Sequence, residues 1–157
     1  MTERAGADII VYMPDLAAVE AHAKDAVTAA IKADPGAGPA RTVPVMCQRI
    51  SGAAIENPQP KDAIVAAVRG SFQAVILAGQ SVPDAAMALL EALPNTSLMM
   101  RAGPEELMSW VMGGVAEATR LAPPDVRDTL RTRIEEKFMG VSSSFDDLCR
   151  EADAKGR

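Results

Sequence analysis

Apolar positions along the chain follow two rhythms, compact runs and helical spacing, and the two alternate. Ala7-Asp8-Ile9-Ile10-Val11-Tyr12-Met13 is a compact run rich in β-branched residues. A run without polar alternation suggests a strand buried on both faces, and Pro14 ends it because proline has no N–H for a ladder. From Asp15 to Ala33 the rhythm changes: Leu16, Val19, Ala23, Val27, Ala30 and Ile31 fall on one face at helical spacing. Asp34-Pro35-Gly36-Ala37-Gly38-Pro39 is a loop by composition. Thr42 to Ile50 reads as a second strand through Val43, Val45 and Cys47, with Pro44 marking an irregular or edge position. Lys61 to Arg69 reads as a helix with Ile64, Val65 and Val68 inward and Gly70 as its stop. Phe72 to Ala78 is the clearest buried strand. Ser81-Val82-Pro83-Asp84 has the form of a capping box, opening a helix that presents Ala86, Leu89, Leu90 and Leu93 before Pro94 stops it. Ser97 to Arg101 makes a fourth short strand.

Beyond this point the pattern is helical only. Gly103-Pro104-Glu105-Glu106 opens a helix to about Arg120, with acids placed well for the helix dipole. Pro123-Pro124-Asp125 opens another to about Phe138, and Phe145 to Ala154 is the last, capped by Ser142-Ser143-Ser144. Residues 7–101 therefore read βαβαβαβ. The expected fold is α/β: a three-layer, flavodoxin- or Rossmann-like parallel sheet of four or five strands with a C-terminal helical extension. Residues 1–102 form the α/β core. Residues 103–157 supply helices that pack on it or form an oligomerisation element, within one domain.

The length of 157 residues suits one domain with a core of its own. Sixteen Lys and Arg against 21 Asp and Glu give a net charge of −5, which argues against nucleic acid and against an anionic membrane surface. The densest basic stretch, Arg127, Arg131, Arg133 and Lys137, is interleaved with acids. It reads as a solvated helix face, with Arg131 and Glu135 spaced to pair. No apolar run approaches membrane-spanning length, and Met1-Thr2-Glu3-Arg4 does not open a signal peptide. Cys47 and Cys149 are the only cysteines. Without a CxxC or a Cys/His cluster, a disulfide framework and a metal site are not expected, and a reducing cytoplasm is.

Motifs for chemistry are sparse. The glycine-rich loop at 35–39 follows a helix and has no lysine, so it is no phosphate loop. GxGxxG and GxSxG are missing, and no motif names a cofactor. His22, the only histidine, lies off the apolar face of its helix with no evident nucleophile beside it. In an open α/β sheet ligands bind beyond the carboxyl ends of the strands. That rule gathers Tyr12, Met13 and Asp15, then Arg49 and Ser51, then Gly79, Gln80 and Ser81, and finally Arg101 and Gly103. Of these, Tyr12, Asp15, Arg49, Gly79, Gln80 and Arg101 are the ligand-binding candidates, for a small anionic or hydrogen-bonding molecule.

The stretch from Asp62 to Gly79, a helix followed by an apolar strand ending in a small residue, resembles the middle of a TIR domain, and Asp8 to Ala33 is similar to that family's start. The resemblance implies an NAD-cleaving glutamate on the next helix, where Glu91 stands; with Ser81 at the strand end it forms the catalytic pair of candidates. The family's Trp-Cys pair before that glutamate is absent, and Glu91 lies roughly 140° around the helix from Ala86. In outline the chain also resembles a phosphoacceptor receiver domain, but Ala78-Gly79 stands where that family needs its aspartate. Both resemblances imply signalling through protein contacts.

Leu107, Met108, Val111, Met112 and Val115 make a wide apolar face, and Trp110, the only tryptophan, projects about 60° beyond its edge. Gly113-Gly114 inside that helix costs roughly 1 kcal/mol per glycine relative to alanine, which suggests close approach by another element. The next helix has only the narrow stripe Val126, Leu130, Ile134 and Phe138. Met108, Trp110, Met112, Leu130 and Ile134 are accordingly the interface candidates. The leading expectation is a non-catalytic regulatory or protein-interaction module that self-associates or binds a protein partner. The alternative is an enzyme acting on a small molecule or nucleotide at the strand ends, with TIR-like NAD cleavage as its specific form.

Overall fold

Asp15 caps the first helix, its Oδ1 accepting the N–H of Ala18 at 3.1 Å, and α1 (Leu16–Ala33) buries Ala23, Val27 and Ile31 as its spacing predicts. The computed structural model describes residues 15–58, 60–100 and 102–155, and the side chains of all but 97–100 among them. After α1 come α2 (Pro39–Glu56), α3 (Pro60–Leu77), α4 (Val82–Met100) and α5 (Pro104–Ala118), which ends in a 3₁₀ turn at Thr119–Leu121. The last two are α6 (Pro124–Lys137) and α7 (Ser142–Lys155). Prolines open α2, α3, α5 and α6, where their missing N–H costs nothing.

There is no strand among the described residues, so the expected parallel sheet is replaced by seven helices. The second expected strand, Thr42 to Ile50, lies within α2, whose buried residues Thr42, Val43, Met46, Ile50 and Ala53 follow a helical period. The alternation of Val43, Val45 and Cys47 is incidental, and Pro44 sits exposed inside the helix. The third, Phe72 to Ala78, is the second half of α3 and the first residue of the turn that follows it. Gly70 does not stop that helix, which buries Ala63 through Val75 almost without interruption. The fourth, Ser97 to Arg101, lies in α4 as far as Met100, that helix running through Pro94, and Arg101 is outside the described residues. The first, Ala7 to Met13, lies outside the described residues. The flavodoxin- or Rossmann-like reading is thereby overturned, and with it the fold that both family resemblances imply.

The helices stack in two layers. α1, α3, α5 and α7 are successive neighbours in one layer, and α2, α4 and α6 in the other. Within the first layer α1 and α3 run in the same direction. The backbone of Glu20 meets Gly70 near one end, and the Pro35 carbonyl accepts from Gln80 Nε2 at 3.0 Å just past the other. α3 and α5 also run together, with Val65 and Val68 against Gly114 and Arg69 reaching Glu117. In the second layer Asp84 pairs with Arg133 and Glu91 with Lys137, so α4 and α6 are parallel. This is the arrangement of α-solenoids, in which helix pairs stack on their neighbours.

The close crossings depend on glycine. A Cβ on Gly70 would collide with the Glu20 carbonyl, and one on Gly114 would lie 2.6 Å from Val68 Cβ. Both glycines fall at the same place in their helices. First-layer helices start at residues 16, 60 and 104, a spacing of 44 residues, and Gly70 and Gly114 are likewise 44 apart. The expectation that Gly113-Gly114 marks close backbone approach is met by Gly114, with α3 as the approaching element.

The outer face of α7 is polar, with Asp147, Arg150 and Glu151 exposed while Phe145, Cys149 and Ala152 are buried. No helix among the described residues is long and apolar enough to cross a membrane.

Candidate functional site

The expected strand-end site is not assembled. Tyr12 and Arg101 lie outside the described residues. Asp15 is spent on the cap of α1, and Arg49 lines a shallow recess between α1 and α2 with His22, Gln48 and Glu56. Gly79, in the left-handed region at φ 71°, ends α3, and Gln80 ties to the Pro35 carbonyl. These last residues stand beyond the other end of α1 from Asp15. The 18 residues of α1 span about 27 Å, so no one small molecule touches both groups.

Among the described residues, neither catalytic candidate lines the α1/α2 recess, the apolar recess beside Met108 or the groove over α5. The Ser81 hydroxyl caps α4, accepting the Asp84 N–H at 3.2 Å, as the capping-box reading anticipates. Glu91 is exposed and pairs with Lys137 at 3.5 Å. Among the described residues no three His, Cys, Asp or Glu side chains are placed to hold a metal ion.

The interface candidates divide. Met112, Leu130 and Ile134 are buried in the chain's own core, while Met108 and Trp110 are half-buried. Met108 borders an apolar recess of about 150 Å³ with Leu90, Leu93, Pro94 and Phe138.

Trp110 lines the groove in which functional side chains do converge. α5 is its floor, presenting Trp110, Gly113 and Glu117, which share a face at i, i+3 and i+7. α3 supplies one wall through Lys61, Asp62 and Val65, and α7 the other through Leu148, Glu151 and Lys155. The volume is about 180 Å³. At Gly113 a Cβ would meet only Leu148, at the ordinary contact distance of 3.7 Å. Among the described residues Lys61, Asp62, Glu151 and Lys155 form no ion pair, so both signs of charge are free on the walls.

Glu117 joins the groove to a polar seam across the first layer. Arg69 Nη1 donates to Glu117 at 3.2 Å, its Nε to Glu20 at 2.7 Å, and Gln73 Nε2 donates to the same Glu20 at 2.7 Å. Burial works against the Arg69 charge, but the Glu20 hydrogen bond and the two carboxylates outweigh it and hold its pKa above the ordinary arginine value. One guanidinium thus bridges α1, α3 and α5. Chemically the groove is equipped to hold a ligand: it has an indole, apolar surface and charges of both signs. Ser109 is its one lining hydroxyl, and His22 belongs to the separate α1/α2 recess.

Lys61, Asp62, Glu117, Glu151 and Lys155 are absent from the sequence-derived candidates. The signal was present in the i, i+3, i+7 face of Trp110, Gly113 and Glu117, but it acquires meaning only once α3 and α7 are known to flank α5. No family model, no curated protein and no solved structure matches this chain.

Proposed function

We propose that this chain is a non-catalytic protein-interaction module built as a short stack of helix pairs, and that the groove over α5 receives an extended segment of a partner protein. The observation that carries the reading is the position of Trp110, the only tryptophan, on the floor of a groove spanning three successive first-layer helices. Stacked helix pairs create surfaces of this kind, continuous across several repeats. Tryptophan is enriched where interfaces concentrate their energy, because it offers a large, stiff apolar area with one donor. The unpaired Lys61, Asp62, Glu151 and Lys155 on the walls suit a segment with an apolar anchor flanked by both signs of charge. Self-association through Met112, Leu130 and Ile134 would require opening the core, so the partner surface is centred on Trp110 instead.

The test is direct binding of a purified partner, found by capture with the intact protein and then titrated against wild type and Trp110→Ala. Truncating a central tryptophan is expected to weaken binding at least about tenfold while leaving the melting temperature within a few degrees. Full affinity in the variant for every partner found would refute the assignment of the groove.

A further inference from the structure

α6 is attached to the rest of the molecule differently from α1 and α3. Of its fourteen residues only Leu130 and Ile134 are buried, with Val126 and the following Phe138 half-buried. Its four cations each reach a carboxylate on a neighbouring helix. Arg127 pairs with Asp153 at 3.0 Å and Arg131 with Asp146, both on α7. Arg133 pairs with Asp84, and Lys137 with Glu91 at 3.5 Å, both on α4. Arg127 also donates to the Ala116 carbonyl at the end of α5, at 2.8 Å. α1 and α3 share one such pair, Arg69 with Glu20 at 2.7 Å, but it is about three-quarters buried, and the two helices meet chiefly through backbone contact and buried Ala and Val side chains. Beneath the end of α6, where Phe138 lies over Leu90, Leu93 and Met108, the apolar recess is already part-open.

We infer that α6 is an ionic strap, fastened to α4 on one side and α7 on the other by these four pairs, and that it lifts from α4 as ionic strength rises, uncovering the apolar surface beneath Phe138. The inference is independent of what the α5 groove binds. Exposed ion pairs are individually weak and are screened by salt, whereas apolar contacts are not. Lifting from α4 breaks the Arg133 and Lys137 pairs, each worth a few-fold in the opening equilibrium and the two together roughly tenfold. A helix with two buried side chains is sensitive to a change of that size, and the α1–α3 interface is not.

Hydrogen exchange of the whole protein, read by peptide at neutral pH in about 0.05 M and about 0.6 M NaCl, tests this. Amides of residues 124–138 are expected to exchange about tenfold faster at the higher salt, and those of α1 and α3 less than about twofold faster. The double variant Arg133→Gln, Lys137→Gln is expected to exchange rapidly in α6 already at low salt and to respond less to added salt. Wild-type α6 protection unaffected by salt, or α1 and α3 rising in step with α6, overturns the inference. The salt comparison on wild type needs no substitution, so it decides the matter even if the double variant fails to fold.

Discussion

Two adjacent glycines in α5 have opposite surroundings. A Cβ at Gly113 would find Leu148 at 3.7 Å, ordinary contact, while one at Gly114 would sit 2.6 Å from Val68 Cβ and 2.9 Å from the Val65 carbonyl oxygen. Gly113→Ala is therefore expected to stabilise the protein by about 0.5–1 kcal/mol through helix propensity. Gly114→Ala gains the same propensity but must push α3 away, and it is expected to lose about 1–3 kcal/mol net. Chemical denaturation of the two variants checks both signs. The pair was legible in sequence as a helical position under tension, but which glycine bears the contact was not. Gly70 shows the same limit from the other side. It reads as a helix stop, and it is a crossing point, because glycine serves both purposes and only the approaching Glu20 backbone distinguishes them.

At the scale of elements, the chain ends of helices were easier to read than their middles. Ser81 caps as its capping-box position predicts, and α5 and α6 open on Pro104 and Pro124, whereas Asp15, a ligand candidate from the sequence, is the N-cap of α1. Ser142 to Ser144, expected to cap the last helix, instead form its first turn, with Val141 just before it. The strand expected at Phe72 to Ala78 failed because a short unbroken apolar run fits a strand or a helix buried all round, and α3 is central in its layer with α1 and α5 on either side. The basic stretch of α6 was read as a solvated face, but its charges are matched across helices. Arg131 pairs with Asp128 and Asp146, and Glu135 accepts the Gly140 N–H at 2.8 Å. One of these pairs carries a pH dependence. The Arg133 hydrogen bond, against a smaller effect of burial and with help from Ser81, holds the Asp84 carboxyl below the usual carboxylate range. A depressed carboxyl stabilises the fold in full above its unfolded pKa, about 3.9, and that contribution disappears as pH falls through the lower folded value. Asp84→Asn should accordingly melt below wild type near neutral pH, with the gap closing beneath about pH 4. A gap that is the same at both ends of the titration would show that Asp84 does not hold α6.

For the whole molecule, the sequence shows no repeat, yet first-layer helices begin 44 residues apart at 16, 60 and 104, and second-layer helices begin at 39, 82 and 124. The repeat is invisible in the letters because stacking constrains only size and polarity on the facing sides. Ala26, Gly70 and Gly114 share a position, and small size is all they have in common. The groove was legible only in part for the same reason: Trp110 stands out alone, while Lys61, Glu151 and Lys155 join it through the stacking of α3, α5 and α7. The account therefore stands on the two glycine crossings between parallel helices. Nuclear Overhauser contacts on the isotope-labelled protein measure them directly. Strong cross-peaks from the Gly70 α-protons to Glu20 and from the Gly114 α-protons to the Val68 methyls are expected, with sequential amide contacts running unbroken from residue 61 to 77. Absence of both cross-peaks, together with strand-type contacts between α-protons across residues 72–78, would contradict the stacked-helix architecture and everything placed on it.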